Sequence, residues 1–221
     1  MQISASIVKS PFHMTDTRQA YEAIKEKIIS TQLRPGAIIH EAALMAELSL
    51  GRTPVREALR QLETEKLVFI IPRRGIFVAD VTLSDLGHIQ EIRVALNMLC
   101  ARAAVERATP EDLAALKTTA QSFQAARQQG DHRSLMALDR QFHQKLAQCA
   151  HNRYLEAELE WYYNLSTRIW YLYLDKLKAD DMAPEAFSEI IQALETKDTE
   201  RANHAIVQHV QHFGDSVRHV L

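Results

Sequence analysis

Cysteine, glycine and proline are scarce in this chain. Two cysteines, Cys100 and Cys149, among 221 residues are too few for a disulfide framework, and their spacing matches no metal-binding pair. Both have apolar neighbours and read as core thiols of a cytoplasmic protein. Six glycines and six prolines form no low-complexity segment. Uninterrupted apolar runs such as Leu67 to Ile71 fall far short of the ~20 residues that span a bilayer. The opening MQISASIVKSPF has no basic stretch followed by an apolar one, so no secretion signal is expected. Net charge is −2, which leaves no chain-wide positive field for nucleic acid. Its distribution is more informative: residues 51–75 carry six basic side chains against three acidic ones. Phosphate attraction is a local matter, so such a strip suits DNA contact, although a solvated face looks the same.

The order of patterns divides the chain. Residues 1–14 have no period and read as a loose tail. From Thr17 to Ser30, Ala20, Ala23, Ile24 and Ile28 recur at helical spacing. A turn at Leu33-Arg34-Pro35-Gly36 follows, then a short helix over 41–48 and another running to about Glu65. Leu67–Pro72 and Gly75–Val81 read as two strands joined through Arg73-Arg74-Gly75. Three helices and a hairpin within ~65 residues suggest a winged helix-turn-helix domain over 15–80. After Asp80 helical periods take over, with helices expected over 84–107, 110–129, 132–149, 153–177, 183–196 and 199–218. The fold class is therefore mainly α, with an all-helical domain over 84–221.

GRTPVREAL, residues 51–59, is the densest local signal. Pro54 suits the first position of a helix, with Thr53 as its N-cap. Val55, Ala58, Leu59 and Leu62 form the inward stripe, which leaves Arg52, Thr53 and Arg56 outward at the N-terminal end. That end of the second helix of a helix-turn-helix enters the major groove, where arginine can fork to guanine O6 and N7. A capped surface helix with solvated arginines is the alternative.

Three polar features of the helical part fall on apolar faces. Asp139 and His143, one turn apart, lie in the apolar half of helix 132–149, and a buried carboxylate needs a partner. His209 borders the stripe Ala202, Ile206, Val210 and Phe213. These three residues read either as a divalent-metal set or as an Asp–His hydrogen bond beside a core histidine. Arg93 sits among Leu86, Ile89, Leu96 and Cys100, with Asn97 one turn on. It can bridge to Asp139 or orient a ligand carboxylate. The aromatics of WYYNLSTRIWYLYL (161–174) spread around their helix and belong to a core, a dimer contact or an effector cavity, with Arg168 among them.

The run from Pro35-Gly36 through LSLGRTPVREALRQLETEKLV to PRRGIFV resembles the DNA-binding domain of GntR-family transcription regulators. The segments IQEIRVALN (89–97), LDRQFHQKLAQCAHNRYL (138–155) and IIQALETKDTERANHAIVQHV (190–210) resemble the FCD ligand-binding domain of the FadR subfamily. The resemblance implies DNA contacts from Arg52, Thr53 and Arg56, with a wing around Arg73, Arg74 and Gly75 approaching the minor groove. Gly51 departs from the serine or threonine usual there, and Lys66 from glycine. The resemblance also implies a zinc or nickel site of one Asp and three His, matched by Asp139, His143 and His209. Phe187 stands in place of the fourth ligand. Arg93, Asn97 (where glutamate is usual) and Arg168 are the expected effector contacts, with an organic or sugar acid as effector.

The expectation is thus a homodimeric, effector-controlled repressor on a palindromic duplex-DNA operator, not an enzyme and without membrane attachment. A metal-responsive sensor is one alternative. A metallohydrolase built on Asp139, His143 and His209 is another, although no HExxH motif accompanies them.

Overall fold

The computed structural model describes residues 15–173 and 185–219. The tail expected over 1–14, the end of the helix expected over 153–177 and the first two residues of that expected over 183–196 lie outside this range. The chain forms two compact units, 1–80 and 81–221.

In the first unit α1 spans Asp16–Ile29, capped by Thr15, whose hydroxyl accepts from the Arg18 N–H. Its buried face, Ala20, Tyr21, Ile24 and Ile28, packs on α3. Each fully buried aliphatic side chain contributes about 1.5–3 kcal/mol relative to exposure. A polar clamp reinforces this contact: Tyr21 donates to Glu65 Oε1 at 2.7 Å and Lys25 donates to the Tyr21 oxygen at 3.0 Å. α2 spans Glu41–Leu48 and ends at Ser49 in the left-handed region, φ 55°. α3 follows over Arg52–Thr64, burying Val55, Ala58, Leu59 and Leu62.

The sheet has three strands rather than the two of the expected hairpin, in the order β1-β3-β2. β2 (Val68–Ile71) and β3 (Gly75–Val78) form the hairpin. β1 is only Ile38–Ile39, paired antiparallel with β3. Two residues carry no readable alternation, so this strand left no trace in the pattern. Gly36, at φ 73°, turns the chain into it and donates its N–H to the Val78 carbonyl at 3.0 Å.

The start of α3 also differs from expectation. Gly51 is the N-cap and has no side chain to cap with, so Thr53 is not the N-cap and Pro54 is the third helical residue. Proline is tolerated there because the first turn's N–H groups have no intrahelical acceptor. The first such bond, Val55 N–H to the Gly51 carbonyl at 3.5 Å, begins just after it.

The second unit holds six helices among the described residues. They are α4 (Leu83–Arg107), α5 (Pro110–Gln128), α6 (His132–Cys149), α7 (Arg153–Tyr173), α8 (Glu185–Glu195) and α9 (Thr199–His219). Thr82 with Asp85 and Thr109 with Asp112 form capping boxes at α4 and α5, each satisfying two otherwise unpaired backbone donors. α4 packs on α9, α7 and α6, α5 on α6 and α8, and α8 on α9. Leu86, Phe123, Phe142, Phe187 and Ile206 are among its fully buried residues. Asp139, His143 and His209 are brought together where α6 meets α9.

Candidate DNA-reading surface and effector cavity

The exposed end of α3 carries Arg52, Thr53, Arg56 and Arg60, and the wing turn carries Arg73, Arg74 and Gly75, all exposed. Arg73 adopts φ 62° and Gly75 φ 121°, the backbone that closes this short hairpin. Glu41, Arg56, Arg60, Arg73 and Gly75 line one groove between α3 and the wing. The structure thereby places Arg56 and the wing arginine together. Arg60, one turn beyond Arg56, was missed because the motif draws the eye to its first turn. Among the described residues Arg56 is the only one of these arginines held in an ion pair, its Nε donating to Glu41 Oε2 at 2.9 Å.

In the helical unit two adjoining cavities share Arg93, His143 and Tyr163 in their walls. The smaller, about 20 Å³, is also lined by Asp139, His209, Trp170 and Phe213 and has room for about one water. The larger, about 210 Å³, is also lined by Asn97, Gln144, Glu156 and Glu160. Arg93 is 3 % exposed. Its Nη1 donates to Ser166 Oγ at 2.9 Å, and its guanidinium lies over the rings of Tyr163 and Phe213. Asn97 is tied down by donating to the Arg93 carbonyl at 2.8 Å. Arg168 is buried but lines neither cavity, so it is not gathered with Arg93.

The Asp139 carboxylate takes its hydrogen bond from Tyr163 Oη, at 2.6 Å, rather than from Arg93. Tyr163 was hidden among the aromatics of its helix, and only the need of Asp139 for a donor hinted at it. Burial raises Asp139 to about 6, against the lowering effects of the Tyr163 bond and the Arg93 charge. Tyr163 is pushed well above its ordinary value, by burial first and then by the Asp139 charge. His143 and His209 face each other through their Nε2 atoms at 3.0 Å. Burial holds His143 well below the ordinary histidine value and His209 at about 3, with the Arg93 charge acting in the same direction on both. Both imidazoles are therefore neutral, one donating and the other accepting.

One oxygen and two nitrogens within 4.8 Å of one another suit a divalent cation in donor type. The His143–His209, Asp139–His209 and Asp139–His143 separations are 3.0, 3.6 and 3.9 Å, against a donor–donor edge of about 3.3 Å around zinc, so the carboxylate stands a little farther out than a bound ion would draw it. Two observations weaken the set. His209 Nδ1 is buried with no partner among the described residues, whereas a ligating histidine almost always gives its other ring N–H to an acceptor. Phe187, which stands where a fourth ligand was expected, lies beside His209 with ring centroids 5.3 Å apart and stacks on Phe142 at 3.8 Å. In donor type the residues fit a three-donor site.

A helix-turn-helix with a basic second helix, a basic wing and a separate helical unit around a polar cavity define a DNA-binding regulator of transcription. The chain belongs to the gntR family of bacterial regulatory proteins. That family's profile matches residues 16–78, and the FCD domain profile matches residues 88–212. The HTH-type transcriptional regulator YdhC of Bacillus subtilis strain 168 is 28 % identical over 207 residues, covering 92 % of this chain and 91 % of its own. The HTH-type transcriptional repressor RspR of Escherichia coli K12 is 26 % identical over 208 residues, covering 92 % and 89 %. The solved structure of E. coli McbR/YncC superposes with a TM-score of 0.82 at 25 % identity, covering 90 % of this chain and 95 % of that one. These relatives are transcription regulators and not enzymes, which sets aside the metallohydrolase.

Proposed function

We propose that the protein is a dimeric repressor that holds a palindromic operator and releases it when a small carboxylate, an organic or sugar acid, enters the helical unit. Arg93 carries the reading for the effector. It is a buried guanidinium with one hydrogen bond among the described residues, set in the wall shared by two cavities. Its remaining N–H donors suit a carboxylate fork, and the larger cavity has room for the rest of such a molecule. The repressor assignment takes support from the naming of RspR.

The test uses the full chain against a panel of carboxylic and sugar acids, read by thermal shift and then by gel shift. The duplex is selected by this protein from a randomised library. An acid that raises the melting temperature and weakens DNA retention, with both effects lost in Arg93→Lys, supports the proposal. Lysine keeps the charge but not the fork. A panel in which no acid does either rejects the carboxylate.

Asp139, His143 and His209 are the donors for a zinc or nickel ion in this reading. Protein purified without chelator that carries no metal, and whose melting temperature zinc does not raise, would remove the ion. A metal-responsive sensor is the second reading, motivated by the same three donors. It requires DNA affinity to change with metal in the absence of any acid.

The dimer is assigned to α4. Glu91, Ile92, Ala95, Met98, Leu99 and Arg102 are all exposed, and at 100° per residue they form one stripe opposite the buried face. Ile92, Met98 and Leu99 are 39 %, 39 % and 43 % exposed, an apolar band that a second copy would cover. A two-fold axis between Ala95 and Met98 sets Glu91 across from the partner's Arg102, and neither is ion-paired within the protomer among the described residues. A self-complementary patch is what a two-fold contact requires. Ala95→Glu should yield a monomer by sedimentation; a persistent dimer would move the contact elsewhere.

A further inference from the structure

An acidic residue lies within the DNA-reading surface. Glu41 is the first residue of α2 and lines the same groove as Arg56, Arg60, Arg73 and Gly75. Its carboxylate binds Arg56 at Nε, 2.9 Å away, with side-chain exposures of 27 % for Glu41 and 58 % for Arg56. A carboxylate on a phosphate-facing surface opposes non-specific binding, because backbone attraction depends on the positive charge presented. Its position at the start of α2 is favourable, since the helix dipole stabilises a negative charge there.

The atom it holds bears on recognition. Guanidinium offers Nε–H and two Nη groups in one plane. With Nε taken by Glu41, the plane is fixed and the two Nη groups remain free as a fork, the geometry that meets guanine O6 and N7. An unrestrained arginine instead spreads over many rotamers and can swing to the nearest phosphate, a contact that positions without specifying.

We propose that Glu41 is a specificity-determining positioning residue. It orients Arg56 for a base contact and penalises DNA that offers only phosphates. Discrimination then comes from both sides, a restrained reader for the correct sequence and an unfavourable charge for every other. The proposal rests on the reading of α3 as the helix that enters the groove.

The experiment measures affinity for a duplex of about 30 base pairs, selected from a randomised library by the wild-type protein, against a scrambled version at one salt concentration. Glu41→Ala should lower the ratio of selected to scrambled affinity about tenfold, within the discrimination of one bidentate contact. The fall should come from both weaker selected and stronger scrambled binding. Glu41→Gln, which keeps an acceptor but not the charge, should fall between Glu41→Ala and wild type. In an Arg56→Ala background, Glu41→Ala should lower the ratio by clearly less, because the reader it positions is gone and only the effect of its charge on scrambled DNA is left. Unaltered melting temperatures separate these effects from misfolding.

A Glu41→Ala ratio within twofold of wild type, or an equal fall with and without Arg56, overturns the proposal. If Arg56→Ala alone leaves selected binding intact, the reading of α3 fails and the proposal fails with it. A normal loss in Arg56→Ala with no effect of Glu41→Ala removes Glu41 only.

Discussion

Phe187→His offers a direct test of the incomplete donor set. Phe187 is 1 % exposed, stacked on Phe142 with 9° between the rings, and edge-on to Phe123 at 5.0 Å. An imidazole keeps a planar ring in that slot but loses part of the buried apolar area, roughly 1–2 kcal/mol. It also introduces a ring N–H that costs about 1–3 kcal/mol if it finds no acceptor. A loss near 3 kcal/mol is therefore expected without metal. At about 2–4 °C per kcal/mol for a chain of this size, the transition of the helical unit should fall by roughly 6–12 °C. Zinc at about a hundred times its dissociation constant returns about 2.7 kcal/mol, so most of the loss should be recovered. The assay is thermal denaturation of wild type and variant, each with chelator and with zinc. An equal zinc shift in both proteins, or a variant as stable as wild type with chelator, would refute the idea that Phe187 occupies the fourth donor position.

Other substitutions test other parts of the structure. Gly51→Ser should strengthen DNA binding severalfold by gel shift, since it restores a hydroxyl at the N-cap of α3, and a Cβ there meets only Pro54 Cδ, at 3.8 Å. Lys66 is exposed and held at φ 58°, so Lys66→Gly should raise stability by about 1 kcal/mol in urea unfolding; a decrease would mean that the lysine makes a compensating contact. Gly214→Ala should destabilise by about 1–3 kcal/mol, because its Cβ would run into the Gln90 side-chain amide. That amide donates to the Val210 carbonyl at 3.1 Å and accepts from Arg218 at 2.9 Å, so Gln90→Ala should relieve the penalty in the double variant.

Much of the fold was legible because its periods are long. Helices such as 110–129 and 132–149 announce themselves through capping residues and apolar stripes, and the strands at 68–71 and 75–78 through clustered Val, Ile and Phe between turn signals. Ile38–Ile39 was not legible, since two residues become a strand only through the neighbour they pair with. The start of α3 was misplaced by two residues because a proline and a preceding threonine resemble a cap, while the true N-cap, Gly51, has no side chain to signal it. In the helical unit the inward Asp139, His143, His209 and Arg93 could be found on helical wheels, because burial of polar groups breaks the pattern. Their partners could not: Tyr163 and Ser166 come from another helix, and which hydroxyl meets which charge is settled only by packing. Arg168 could not be placed in this way, since an inward position on a wheel does not say which interior it faces.

The two cysteines have a practical consequence. Cys100 and Cys149 are buried, free and both in the helical unit, and each thiol is pushed up to about 12, mainly by burial. The reactive thiolate is thus scarce while the unit stays closed. Alkylation at neutral pH then becomes a native clock for opening of this half of the molecule alone, with no label to engineer and no signal from the DNA-reading half. Any compound that binds the helical cavity should slow that clock, which turns a simple mass-spectrometric rate into a screen for the effector.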